Sequence, residues 1–165
     1  MTQVLAALAL APWAHPLAFQ PLSGWRTGAS GNVNSRHVVP SKRVPAPKES
    51  AAWIARNVRY SDRATADPPN TTLMHLPRNG VIVWAVIVQS RFAQRPIRLD
   101  LAKAKRFDCC EGAYVAGGEY ELSGLGPRDA YSVIVRIYFG SRPTAALRGD
   151  AQRALDHLEL PSPTA

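Results

Sequence analysis

Val81 to Val88 reads "VIVWAVIV": four valines, two isoleucines, a tryptophan and an alanine, with no polar side chain among them. Branching at Cβ stiffens χ1 and suits a pleated strand better than a helix. Eight residues are few for a core helix and far short of the roughly 20 that a membrane-spanning helix needs. A run this short and this unbroken predicts a strand buried on both faces, with a neighbour on either side. Such a strand requires a sheet around it, and the flanking sequence supplies the candidates.

Downstream, "IRLDL" (Ile97 to Leu101) alternates, with Ile97, Leu99 and Leu101 inward and Arg98 and Asp100 outward, which predicts a strand. Lys103 and Lys105 break that parity, so a bulge or strand end is expected near Ala102. "GEYEL" and "YSVIVRIYF" predict a hairpin: Tyr131, Val133, Val135, Ile137 and Phe139 form one apolar face, Tyr120 and Leu122 its partner, and Ser123 to Ala130 the turn. Glu119 and Glu121 then share a sheet face with Arg136, an arrangement that stabilises opposite charges across strands. At the end of the chain Thr144 is a suitable N-cap, and Leu147, Ala151, Leu155 and Leu158 recur at helical spacing before Pro161.

Upstream, "TTLMHLPRNG" (Thr71 to Gly80) predicts one helical turn closed by Pro77 and an Asn-Gly turn. "AAWIARNVRY" (Ala51 to Tyr60) fits both a helical stripe and a strand face. The strand is preferred, since "SDRATADPPN" after it reads as a long loop and no helix cap ends the segment. The expected fold class is mainly β: an antiparallel β-sandwich or strongly curved sheet of six to eight strands, with one C-terminal helix packed on it. The alternative is an α+β domain with a four-stranded sheet and helices at Ala51 and Thr144. The 14 prolines suit many short extended segments and oppose a helical bundle.

A chain of 165 residues makes one ordinary domain, large enough to hold a core without staples. Residues 1–24 form an apolar, Pro- and Ala-rich leader; Val4 to Ala11 is similar to the core of a secretion signal, yet the first basic residue is Arg26. It is read either as a truncated signal or as a disordered apolar end. Residues 25–160 form a single β-rich domain, with a first strand at Val33 to Val39 and a Pro-rich linker at residues 40–50, and 161–165 form a tail.

The formal charge is +8, which favours an anionic partner. Sixteen of the twenty basic residues are arginine and 25 residues are alanine, a skew that a GC-rich coding sequence also produces. The charge is unevenly placed: Arg91 to Arg106 holds six basic residues and one acidic, and Asp108 to Asp129 five acidic and one basic. Arg91, Arg95, Arg98 and Arg106 are the candidate anion-facing residues. Aromatic side chains among arginines, as at Trp25, Trp53 and Tyr60, are one ingredient of single-strand nucleic-acid binding, although no known nucleic-acid-binding motif accompanies them.

The only cysteines, Cys109 and Cys110, are adjacent. Their Cα atoms lie about 3.8 Å apart, below the roughly 4.4–6.8 Å of an ordinary disulfide. A bond between them would close a strained ring and act as a rigid turn or a redox switch; reduced, the pair could hold a soft metal. The simplest reading is a strand start with one thiol inside, packing as a small hydrophobe. Histidines 15, 37, 75 and 157 show no metal-ligand spacing, and no nucleophile elbow occurs. Gly117 and Gly118 precede strand-like residues, which points to a bulge or close backbone contact rather than a phosphate loop.

These features rank three functions. The first is a non-catalytic binding or interaction domain in an extracytoplasmic setting, its ligand unknown, its partner an anionic polymer or a protein. The second is nucleic-acid binding through arginine-rich faces. The third is thiol redox or soft-metal handling by Cys109 and Cys110. No cofactor, transmembrane span or enzymatic activity is expected. Asp108 and Glu111 flank the thiols and should keep them protonated. Alkylation by iodoacetamide is therefore predicted to be slow at neutral pH, and rapid modification below pH about 7 would reverse the ranking.

Overall fold

The computed structural model describes residues 16–30, 50–59, 68, 70–88, 92–107 and 115–162. The Val33 to Val39 strand and nearly all of the Pro-rich linker fall outside them. In chain order the elements are β1 (Ala18–Phe19), β2 (Trp25–Ser30), β3 (Ala51–Arg56), α1 (Asn70–Met74), β4 (Val81–Val88), β5 (Lys105–Arg106), β6 (Glu119–Leu125), β7 (Ser132–Phe139), α2 (Ala145–Asp156) and β8 (Leu158–Glu159). Single 3-10 turns lie at Leu101–Lys103 and Pro127–Asp129. The chain is mainly β: the described residues form a six-stranded antiparallel sheet in the order β2-β3-β4-β7-β6-β5, a small antiparallel pair β1-β8, and one main C-terminal helix. No helix among the described residues is long and apolar enough to cross a membrane.

β4 occupies the interior, paired with β3 on one side and β7 on the other. Val81 to Ile87 are all buried, because both faces of the sheet are covered. Val81, Val83, Ala85 and Ile87 join a core with Ile54 of β3, Val133, Val135, Ile137 and Phe139 of β7, and Leu147, Ala151, Ala154 and Leu155 of α2. Ile82, Trp84 and Val86 enter a second core with Trp53, Ala55, Tyr138 and Val115, and with Leu73 and Leu76 in and just after α1. At roughly 1.5–3 kcal/mol for each large apolar side chain fully buried, this one strand is a major source of folding free energy. The ambiguous Ala51 segment is a strand, so the alternative with a helix there is not formed. Asn57, at φ 55°, follows β3.

α2 begins at Thr144, whose side chain accepts from the Leu147 N–H at 3.3 Å. Its apolar stripe faces the sheet as the spacing predicts. The stripe also buries Asp150, which is paired with Arg56 at the end of β3 and with Arg153 one turn along. A buried carboxylate needs such partners, so the pairing fixes how the helix is rotated on the sheet. The folded unit extends beyond the compositional boundaries. Leu17 and Phe19, from the leader, join the main core, and the Gln20 N–H donates to the His157 carbonyl at 2.8 Å. Pro161, from the tail, is buried, and its carbonyl accepts from the Tyr131 hydroxyl at 2.6 Å.

The hairpin forms in the expected pairing, with Tyr120 opposite Ile137 and Leu122 opposite Val135. β6 runs on to Leu125, so the connection is shorter than Ser123 to Ala130 and turns on Pro127–Asp129, with Arg128 and Asp129 at φ 55° and 53°. Ile97 to Leu101 departs further from expectation. Its side chains alternate as predicted, Leu101 being buried and Ile97 and Leu99 half-buried beside the core, but it is not a strand. Its ladder contact is a single parallel bridge, Pro96 with Leu125. A side chain replaces the missing strand: Gln152 of α2 accepts from the Leu101 N–H and donates to the Leu99 carbonyl, both at 2.9 Å. The parity break at Ala102 is a 3-10 turn capped by Asp100, whose Oδ1 accepts from the Ala102 N–H at 2.9 Å.

Two predictions follow from these side-chain bonds. Gln152→Ala leaves a donor and an acceptor of the extended segment unpaired and should cost about 1–2 kcal/mol. A urea melt with an unchanged slope and lower midpoint reports it, and a shift equivalent to under about half a kcal/mol would show that Gln152 does not hold the segment. Burial pushes the Tyr131 hydroxyl well above its ordinary pKa of about 10. The folded state then keeps the proton while the unfolded state loses it, so the contribution is whole below pH about 10 and declines above it. Tyr131→Phe should cost about 1 kcal/mol at pH 7, and the gap to wild type should narrow between pH 9 and 11 in equilibrium melts. A constant gap would remove Tyr131 as the cause.

Candidate functional site

The stretch from Arg95 to Phe107 leaves the edge of β6 and returns to it. It leaves where the Leu125 N–H donates to the Arg95 carbonyl at 2.7 Å and the Ile97 N–H donates to the Leu125 carbonyl at 2.9 Å. Ile97 crosses so close over Gly124 that any Cβ there would collide with its backbone. The chain then runs through the Gln152 bonds and the capped turn, and the Ala104 N–H closes the turn on the Leu101 carbonyl at 3.1 Å. It rejoins as β5, with Lys105 opposite Glu121 and Arg106 opposite Tyr120, and the Phe107 N–H donates to the Glu119 carbonyl at 2.9 Å.

Between this arch and the outer edge of β6 lies a groove of about 710 Å³. Arg95, Arg98, Lys103, Lys105 and Arg106 line it, with Phe107 and the Leu122–Ser123 edge of β6. One carboxylate, Glu121, is also present. Its Oε2 lies 3.4 Å from Arg136 Nε, and Glu119 Oε1 lies equally far from the same nitrogen. The Arg136 guanidinium also lies over Phe107 at 4.7 Å and Trp84 at 5.7 Å from the ring centroids. Glu121 is thus engaged with a cation beside the groove, and the five basic side chains within it carry a strong positive excess. The cross-strand pairing of Glu119 and Glu121 with Arg136 is the one expected from parity, and it also anchors the groove wall.

Of the candidate anion-facing residues, Arg95, Arg98 and Arg106 come together here, and Arg91 lies outside the described residues. Lys103 and Lys105 were not among the candidates, although the sequence marked them by their break in alternation: the 3-10 turn brings them round to the same concavity as Arg95 and Arg98. Among the described residues lining the groove the aromatic side chain is Phe107, one face of which Arg136 already covers. Cys109 and Cys110 lie outside the described residues. Among the described residues no group of three or more His, Cys, Asp and Glu side chains is placed to hold a metal ion. His75 Nδ1 lies 2.8 Å from the Thr71 carbonyl, within α1 and its end, and His157 closes α2. Gly117 meets the expectation of close backbone contact: its N–H donates to the Phe139 carbonyl at 2.8 Å, and a Cβ there would strike Ser141. Comparison with family models, curated proteins and solved structures finds no match for the chain.

Proposed function

We propose that the chain is a non-catalytic binding domain whose partner is an anionic polymer, held in the groove beneath the Arg95–Phe107 arch. The observation that carries this reading is the gathering of Arg95, Arg98, Lys103, Lys105 and Arg106 on one concave surface where, among the described residues, the one carboxylate is already engaged. Diffuse positive charge is what a skewed composition alone would produce. A groove that collects five cations from a turn, a short strand and an extended segment concentrates the field on a linear track. The arch is tied down by β6 and α2, so the backbone that carries these side chains needs little reorganisation to meet a ligand. Nucleic acid is the narrower version of the reading and rests on charge and on the neighbouring Phe107.

Affinity for a single-stranded thymidine oligomer and for polyglutamate, measured by fluorescence anisotropy across a salt series, tests the proposal. If five phosphates are neutralised, the logarithmic salt slope for the oligomer is about −3.5. The Arg98→Gln, Lys103→Gln, Lys105→Gln triple variant should lower that magnitude by about 2 and weaken binding to both polymers. Binding of the oligomer alone would select nucleic acid. Binding of neither polymer, or equal binding by the triple variant, would overturn the groove as the site.

A further inference from the structure

Arg106 stands between two concavities. On one side it lines the groove, and on the other it lines a separate pocket of about 540 Å³ with Arg142, Arg148, Tyr120, Gly117 and Pro143. The three arginines come from three places in the fold: β5, the β7–α2 connection and the first turns of α2. Arg148 is held with its guanidinium over the Tyr120 ring, 5.3 Å from the centroid. Tyr120 is in turn set by an edge-on contact with buried Phe139, with ring centroids 5.6 Å apart. The pocket floor comes close to the backbone because Gly117 lies against Ser141 with no room for a side chain. No acidic side chain lines this pocket among the described residues, in contrast to the groove with its Glu121.

We infer that this pocket binds a phosphomonoester, a compact dianion carried on a small organic group. Three planar guanidinium forks carried by three different parts of the fold match the several oxygens of one terminal phosphate, whereas a chain of phosphodiesters offers a single charge per group. The volume lies within the range of small-molecule sites, which leaves space for a substituent beyond the phosphate. The site is distinct from the polymer groove and meets it only at Arg106, so the two readings stand or fall separately.

The probes are phenyl phosphate, a monoester, and dimethyl phosphate, a diester, titrated into the full chain and followed by calorimetry and by the shifts of the pocket's arginine side-chain NMR signals. At pH 8 the monoester should bind at least tenfold more tightly than the diester. Arg142→Gln combined with Arg148→Gln should remove that preference, Arg142→Lys should keep part of it, and Arg98→Gln in the groove should leave it unchanged. Monoester affinity should also fall as pH drops through about 6, where the phosphate dianion takes up a proton and becomes a monoanion. Among the described residues, the groups lining the pocket, Arg106, Arg142, Arg148 and Tyr120, include no histidine or carboxylate. Inorganic phosphate, tested alone, separates a site for the bare ion from one that also uses the substituent: binding by phenyl phosphate at least as tight as by inorganic phosphate is expected. Equal binding of monoester and diester, full preference in the Arg142→Gln, Arg148→Gln variant, or a marked advantage for the bare ion would overturn the inference.

Discussion

Everything in this fold depends on β4 having hydrogen-bonded neighbours on both edges and apolar cover on both faces. A strand composed wholly of β-branched and aromatic side chains, with one alanine, exposes a large apolar area unless both requirements are met, and no single hairpin meets them. β3 and β7 supply the edges. α2 and the β1–β8 pair cover one face, and α1 with Val115 contributes to the cover of the other. The sheet is therefore a partition between two cores. A helix that is marginal by itself, such as α2, is stabilised chiefly by laying its Leu147–Ala151–Leu155 stripe on that partition.

Polar groups then decide how the covering parts are oriented. Asp150 is buried within the apolar stripe of α2 and ties the helix to Arg56 at the end of β3. Two residues along the same helix, Gln152 does for the Leu99–Leu101 backbone what a neighbouring strand would have done. An amide side chain has one acceptor oxygen and a donor NH2, so it can pair with an N–H and a carbonyl two residues apart. That substitution frees the chain from the sheet between Ile97 and Lys105. The freed segment arches outward, and the basic groove is the space beneath it.

The site is thus built from a departure from regular structure anchored at both ends to regular structure. Such placement lets a surface segment carry exposed cations while Ile97, Leu99 and Leu101 anchor it to the core. Opposing charge is managed nearby: Arg136, between Phe107 and Trp84, engages Glu119 and Glu121 and keeps the acidic side chains of β6 from cancelling the groove's field.

The sequence by itself determined what is local. The unbroken run at Val81–Val88 and the Thr144 cap are local signals, the alternation in β6 and β7 and the stripe of α2 reflect periods of 2.0 and 3.6 residues, and each is found in the structure. The side-chain alternation of Ile97 to Leu101 was legible too, as was the pairing of Glu119 and Glu121 with Arg136. Only the tertiary structure decided that the Ile97 segment would be bonded to a glutamine instead of a strand. It also decided that Leu17 and Phe19 of the apolar leader would enter the core, and that Lys103 and Lys105 would turn toward Arg95 and Arg98. Periodicity records which side of a segment is apolar, and it carries no information on what stands opposite. That partner is chosen by packing between residues far apart in the chain, Leu101 with Gln152 and Ile97 with Gly124, and the candidate groove exists only where those contacts place it.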